Sequence, residues 1–201
     1  MNFAQRFNFG RIAENKIAQW LIATDRFVLP VYETETEADA KGPRVFLCNG
    51  SLVAPDLLVF TKLRATWVEA KRKSHFTWHK KTATWQTGID LPCYEHYLRI
   101  ADGSPFPLWL LFLHEDHRPD VRDIHAGCDP ECPTGLYGEN IQKLRKMEDH
   151  RHPNWGRRGM VYWRESALKR LASIDEVNAA IANRKPIVNL NLNGSQGERQ
   201  C

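Results

Sequence analysis

The segment from Leu108 to Leu113 restricts the fold of this chain more than any other. Its six residues, Leu-Trp-Leu-Leu-Phe-Leu, are all apolar. A strand with one face in water alternates apolar and polar residues, so an unbroken apolar run indicates a strand that is covered on both faces. Such a sheet needs helices packed against it, and this requirement predicts an α/β fold.

Other segments predict the order of elements around that strand. The helical spacing of Ile17, Ala18 and Leu21 indicates a first helix over residues 11–24. Strands are predicted at 27–32, 44–48, 52–60 and 66–70, with Asn49-Gly50 favouring a hairpin between the second and third. We expect 76–101 to be helical in two pieces, broken near Gly88 and Pro92. We expect the first helix, three of these strands, the following helix and the strand at 108–113 to form an αβββαβ core with a central mixed sheet flanked by helices.

Beyond Pro119 the pattern changes, because Pro and Gly become frequent and periodicity fades. Three elements are predicted there: a strand at 159–163 and two helices at 165–171 and 175–183. Ser173 with Glu176 three residues later predicts a capping box. We therefore divide the chain into a core, residues 1–118, and a loop-rich C-terminal extension, residues 119–201, packed on the same domain.

The composition favours a soluble cytoplasmic protein. No apolar run approaches the roughly 18–20 residues that cross a bilayer, and residues 1–10 lack the apolar stretch of a signal peptide. The five cysteines are odd in number and irregularly spaced. We expect reduced thiols, and we interpret Cys93 as a buried thiol.

The distribution of charge says more than the net charge of +4. Between Lys62 and Lys81 seven basic residues accompany a single acid, Glu69, and a second basic run extends from Lys143 to Arg158. One interpretation is two solvated faces. The other is contact with a polyanion, which the chemistry of the first run favours.

Three residues of that region have the pattern of a metal site. Alternation along a strand places Glu69 and Lys71 on one face, and a neighbouring strand that begins at Asp56 would bring the two carboxylates together. Oxygen ligands of this kind suit Mg²⁺ or Mn²⁺, and a lysine beside them would stabilise a phosphate. The alternative is an ordinary exposed Glu–Lys pair on an edge strand, with Asp56 as a turn residue.

Pro55-Asp56 and Glu69-Ala70-Lys71 within an apolar strand resemble the motif of the PD-(D/E)XK nucleases, a superfamily that includes restriction endonucleases, archaeal Holliday-junction resolvases and phage recombination nucleases. The resemblance covers about residues 10–115. It implies a metal-dependent endonuclease that hydrolyses DNA phosphodiester bonds. In that reaction Asp56 and Glu69 would bind Mg²⁺ or Mn²⁺, and Lys71 would stabilise the reacting phosphate and water.

The resemblance implies two further site residues. Glu14 corresponds to a glutamate of the first helix that contributes to the metal site, and Gln86 to a polar residue on the helix after the lysine strand. The implied partner is DNA, whether duplex, branched or single-stranded, in a bacterial or phage-infected cell. A homodimer would suit the cutting of two strands. The runner-up is a non-cleaving nucleic-acid-binding or inhibitory module that keeps the nuclease fold.

Several side chains near the motif have the chemistry of nucleic-acid contacts. Trp78 could stack on a base, although such aromatic residues more often belong to a core. Four basic residues are expected to contact phosphates: Arg72, Lys73, Lys80 and Lys81.

A histidine- and cysteine-rich segment offers a separate hypothesis. His114, His117, Cys128 and Cys132 lie within 19 residues and could hold a structural Zn²⁺. The spacing has no second CxxC, so the alternative is a surface loop with unligated histidines. A zinc-stapled interaction protein would follow from the first reading.

Overall fold

A six-stranded mixed sheet forms the centre of the protein. The computed structural model describes residues 14–31, 44–48, 50–155 and 158–183. The strands lie side by side in the order β1 (Phe27–Pro30), β4 (Leu57–Phe60), β5 (Ala65–Lys73), β8 (Leu108–His114), β9 (Gly135–Asn140) and β12 (Lys169–Ala172). β5 and β8 are parallel, and the other neighbours are antiparallel.

Two smaller sheets and several helices surround this centre. The hairpin of β2 (Arg44–Leu47) and β3 (Gly50–Val53) confirms the predicted pairing. A four-stranded antiparallel sheet has the order β10 (His150–His152), β11 (Met160–Arg164), β7 (Thr84–Asp90) and β6 (Thr77–His79). The helices are α1 (described over 14–23), α2 (Leu91–Gly103), α3 (Val121–His125), α4 (Ile141–Lys146), the 3₁₀ helix η1 (Glu165–Ala167) and α5 (Ile174–Ala182).

Both faces of the central sheet are covered, as the apolar run of β8 predicts. Leu111 and Leu113 pack on one side with Ile17 of α1 and Val177 of α5. On the other side, residues of β8 pack with α2, α4 and the four-stranded sheet. Because every side chain from Leu110 to Leu113 is buried, β8 has no polar face.

The predicted αβββαβ core is present as α1, β1, β4, β5, α2 and β8. Two insertions interrupt it: the β2–β3 hairpin before β4, and the β6–β7 hairpin between β5 and α2. The predicted start of the first helix, residues 11–13, lies outside the described residues. β9 and β12 fall after residue 118 and extend the same central sheet. Among the described helices, none has the length and apolarity to cross a membrane.

Three element predictions are wrong. Residues 77–90 form two strands, not a helix. Trp78 pairs with Trp85 across the β6–β7 hairpin, and the other edge of β7 pairs with β11. Residues 52–60 are two strands, separated at Pro55, which has no N–H to donate. After η1, the predicted helix 165–171 continues as β12, which pairs with β9. The capping box of Ser173 and Glu176 is confirmed.

Candidate active site

β5 places the acidic and basic residues of the motif in the interior of the sheet. It lies between β4 and β8, so the interpretation of Glu69 and Lys71 as an exposed pair on an edge strand is wrong. Val68 and Ala70 pack into the core on the side of α1. Alternation therefore directs Glu69 and Lys71 to the opposite face, towards α2.

Asp56 lies in the break between β3 and β4, where the chain turns beside β5. Its Oδ2 accepts a hydrogen bond from the backbone N–H of Ala70 at 2.9 Å. This bond orients the carboxylate beside the strand that carries Glu69. The negative charge of Asp56 contributes to raising the pKa of Glu69, so the predicted trio of Asp56, Glu69 and Lys71 is assembled in one place.

Glu69 is a fully buried carboxylate with few compensating contacts. Its side chain is 0% exposed and forms an ion pair with Lys71. Neither of its oxygens makes a hydrogen bond of ordinary geometry with a described residue. Burial and the negative charge of Asp56 raise the pKa of Glu69, Lys71 offsets part of the rise, and the resulting pKa is about 8. A bound cation, as a positive charge in addition to Lys71, would stabilise the charged forms of Asp56 and Glu69.

Lys71 and Lys73 give the opening of the site a positive charge. The side chain of Lys71 is 33% exposed. Although burial lowers the pKa of Lys71, Glu69 and Asp56 outweigh that effect and raise it, so Lys71 stays charged at neutral pH. Burial, with repulsion from Lys71, lowers the pKa of Lys73 to about 8. The positive charges of Lys71 and Lys73 would attract an anionic ligand to the opening of the site.

Helix α2 contributes residues that the sequence did not assign to the site. Tyr97 is 2% exposed, and its hydroxyl is near enough to Glu69 to lower the pKa of that carboxyl. Burial, followed by Glu69, raises the pKa of Tyr97 well above its usual range. Cys93 lies close enough for Lys71 and Glu69 to affect its pKa, which burial raises. The helical spacing of Tyr94, Tyr97 and Ile100 is typical of a buried face, which they form in α2, but this spacing does not indicate a polar role for Tyr97.

No family model and no curated protein matches the sequence. Among solved structures, the chain is similar to a Holliday junction resolvase from Archaeoglobus fulgidus, at 9% identity and a TM-score of 0.44, over 79% of this chain and 90% of that one. It is also similar to a nuclease from a fusselovirus, at 12% identity and a TM-score of 0.36, over 82% of each chain. Both similarities are distant.

Glu14 and Gln86, the two further site residues, occupy different surroundings. Glu14 lies on α1, whose apolar residues pack on the face of Val68 and Ala70, and its part in the site stays a prediction. Gln86 is on β7 and not on a helix, which corrects its predicted setting. Its Nε2 donates to Asp149 Oδ2 at 2.8 Å, and a catalytic role for Gln86 stays a prediction.

The predicted nucleic-acid contacts do not form one surface. Arg72 alternates with Lys73 along β5 and forms an ion pair with Glu115 on the side of α1. Trp78 is half-buried and packs edge-to-face on Trp85, with ring centroids 5.1 Å apart. The remaining two, Lys80 and Lys81, are exposed in the turn between β6 and β7. Their contact with DNA stays a prediction.

The predicted zinc ligands are not gathered into a site. Within residues 14–31, 44–48, 50–155 and 158–183, the group of three or more ligands close enough to share a metal is His79, Asp149 and His150. The predicted ligands that pack in the core do so for other reasons: His114 stacks on Phe76 at 3.7 Å, and Cys132 Sγ donates to the Phe76 carbonyl at 3.7 Å. His117 and Cys128 do not complete a set with them.

His114 predicts a loss of stability in acid. Burial lowers its pKa to about 3, whereas an unfolded histidine titrates near about 6.5. The unfolded chain therefore binds more protons between these values, and stability falls as the pH drops from about 6.5 towards 3, by up to about 1.4 kcal/mol per pH unit. His114→Phe would keep the stack on Phe76, and we expect urea unfolding from pH 7 to pH 4 to show a smaller loss of stability for this variant than for the wild type.

His117→Phe, at an exposed position, is the control. An equal dependence of stability on pH in the wild type and both variants would contradict the prediction.

Proposed function

We propose that this protein is a metal-dependent endonuclease that hydrolyses DNA phosphodiester bonds. Asp56 and Glu69 would hold Mg²⁺ or Mn²⁺, and Lys71 would stabilise the reacting phosphate and water. The observation that carries the proposal is the meeting of two carboxylates, one of them fully buried with no ordinary hydrogen bond, beside a charged lysine that reaches solvent.

The donor set fits a hard divalent cation. Carboxylate oxygens are the ligands that Mg²⁺ and Mn²⁺ prefer, and Mg²⁺ takes only one or two of them. Asp56 is already oriented by the Ala70 N–H, which is how a hydrogen bond outside the ligand set fixes a ligand. Two negative charges close together, one in a medium that opposes ionisation, favour cation binding over the empty state.

The chain's own residues have distinct parts in the reaction. A divalent cation, when bound, supplies positive charge that screens the phosphate and acidifies an attacking water. Lys71 holds a permanent positive charge at the solvent-facing side of the carboxylates, where it stabilises the charge that develops on the phosphate. Lys73, on the same face of β5, adds a second positive charge along the approach of the substrate.

Tyr97→Phe is expected to raise the Mg²⁺ concentration needed for half-maximal cleavage by about 10- to 100-fold, because a hydroxyl that positions a ligand carboxylate typically has an effect of this size. The rate at saturating Mg²⁺ should change less. Cleavage rates across a Mg²⁺ titration measure both quantities. Tyr94→Phe is the matched control, because Tyr94 is a second buried tyrosine of α2 and its hydroxyl donates to Glu148 at 2.7 Å. An identical response of the two variants would contradict a positioning role for Tyr97.

A substrate panel tests the proposed function. Purified protein would be incubated with plasmid, single-stranded DNA, RNA, a flap and a four-way junction, each with Mg²⁺, with Mn²⁺ and with a chelator, beside Glu69→Ala. We expect metal-dependent cleavage of DNA that Glu69→Ala lacks. Binding of DNA without cleavage by the wild-type protein would support the non-cleaving module instead. If the wild-type protein neither binds nor cleaves DNA, the nuclease and the non-cleaving binding module are both contradicted.

The expected partner is DNA. We expect DNA to be preferred over RNA, and the panel shows which of its forms is cut. A homodimer would place two such sites on opposite strands of a duplex, and sedimentation with and without DNA measures that state.

A further inference from the structure

The four-stranded sheet is curled so that its two outer strands meet. β6 and β10 are its opposite edges, and in a flat sheet three strand spacings would separate them by about 14 Å. Yet the ring of His79, on β6, stacks on the ring of His150, on β10, with centroids 4.7 Å apart and planes 22° apart. Residues far apart in sequence thus share one small area of the polar face.

Gly88 permits the packing on which this area rests. A Cβ at Gly88 would lie 2.4 Å from the Val161 carbonyl oxygen and 2.8 Å from the Tyr162 ring. Without it, the Tyr162 ring fits over β7 and stacks on His150 with centroids 4.9 Å apart. Tyr162, His150 and His79 form a continuous ring stack, which fixes where the two imidazoles lie.

Hydrogen bonds orient the same side chains. His79 Nδ1 lies 2.8 Å from Thr82 Oγ1, and His150 Nδ1 lies 2.9 Å from Asp149 Oδ2. Asp149 also accepts from Arg164 Nε at 2.5 Å and from Gln86 Nε2 at 2.8 Å. Imidazoles and a carboxylate held by neighbours in this way resemble metal ligands with their supporting residues.

We propose that His79, Asp149 and His150 bind a borderline divalent transition-metal ion, with Zn²⁺ as the probe. One ligand atom from each residue lies within 4.8 Å of the other two, close enough to converge on one ion by side-chain rotation. Two imidazoles with one carboxylate favour Zn²⁺, Ni²⁺ or Co²⁺ over Mg²⁺. Three protein ligands leave at least one position for water.

This site differs from the proposed nuclease site in place and in chemistry. The Asp56–Glu69 pair offers only oxygen and lies on the central sheet, whereas this cluster offers two nitrogens and lies on the curled sheet. An ion bound here joins β6 to β10 and so restrains the turn that carries Lys80 and Lys81. Its role is therefore to hold the curled sheet closed at the edge next to two exposed basic residues.

The test is a Zn²⁺ titration of the full chain after chelator treatment, followed by isothermal calorimetry and by metal analysis after dialysis. We expect one Zn²⁺ per chain in the wild type and in Glu69→Gln, and a loss of affinity of at least about 100-fold in His79→Ala and His150→Ala. His117→Ala, which changes an exposed histidine outside the cluster, should bind like the wild type.

Thermal melting distinguishes a variant that has lost Zn²⁺ binding from a variant that has failed to fold. The metal-free variants should melt cooperatively, and Zn²⁺ should raise the melting temperature of the wild type and of His117→Ala but not of His79→Ala. The proposal would be overturned if the wild type does not bind Zn²⁺, or if a folded His79→Ala binds it equally well. Asp149 would then serve only as a hydrogen-bond acceptor. Either result would leave Mg²⁺-dependent cleavage and its dependence on Glu69 untouched.

Discussion

Glu69→Gln is expected to lower the rate of Mg²⁺-dependent DNA cleavage by at least about 10³-fold. The substitution keeps the shape of a side chain that is 0% exposed and removes one of the two carboxylates that would hold the cation. Stability should not fall, because burial and Asp56 disfavour the charged form of Glu69 more than Lys71 favours it, so that its pKa is raised in the folded protein. Single-turnover cleavage at saturating Mg²⁺ and thermal melting measure the two effects.

The matched control for that variant is Glu139→Gln. Glu139 is also buried, at 2% exposed, and lies in the same sheet on β9, two strands away from Glu69, with Lys143 as its partner. Its substitution should leave the chemical step unchanged, although loss of that ion pair lowers stability. Cleavage that survives Glu69→Gln but is lost in Glu139→Gln would show that the reaction lies elsewhere.

Lys71→Met is expected to reduce the cleavage rate at saturating DNA by about 10²- to 10³-fold, as removal of one positive group that stabilises a developing charge typically does. Methionine retains most of the apolar stem, so the fold should persist. Loss of Lys71 also removes the charge that holds down the pKa of Glu69, so the Mg²⁺ requirement should increase at neutral pH. Rates across a Mg²⁺ series at pH 7 and pH 9 measure both effects.

Lys169→Met provides the comparison for Lys71→Met. Lys169 is a lysine of the same sheet, on the edge strand β12, and its side chain is 60% exposed. Its loss should leave cleavage within a few-fold of wild type. Equal losses in both variants would indicate a general charge effect on DNA binding and would contradict a specific role for Lys71.

Local patterns predicted the part of the fold that depends on alternation. The apolar run of β8 requires cover on both faces, and α1 and α2 provide it. The alternation of Glu69 and Lys71 placed both on one face of β5, opposite Val68 and Ala70. These predictions succeed because the two-residue period of a strand acts over a few residues, whereas the break at Pro55 within the predicted strand 52–60 was not predicted.

Contacts between segments that are distant in sequence determine the elements that were predicted wrongly. Trp78 and Trp85 have a spacing that suits several structures, and only pairing with β11 selects strands for this segment. The meeting of His79 with Asp149 and His150 depends on the curl of a sheet and on Gly88. The approach of Tyr97 to Glu69 likewise depends on how α2 packs, which no local pattern contains.

The most direct test of a metal-dependent reaction at Asp56, Glu69 and Lys71 is the cleavage rate of Asp56→Asn at saturating Mg²⁺. Asparagine keeps an oxygen that can accept from the Ala70 N–H, so the turn should persist while the charge for the cation is removed. We expect the wild type to cut DNA with Mg²⁺ and not with chelator, and Asp56→Asn to bind DNA without cutting it. Cleavage by Asp56→Asn at the wild-type rate would contradict this assignment.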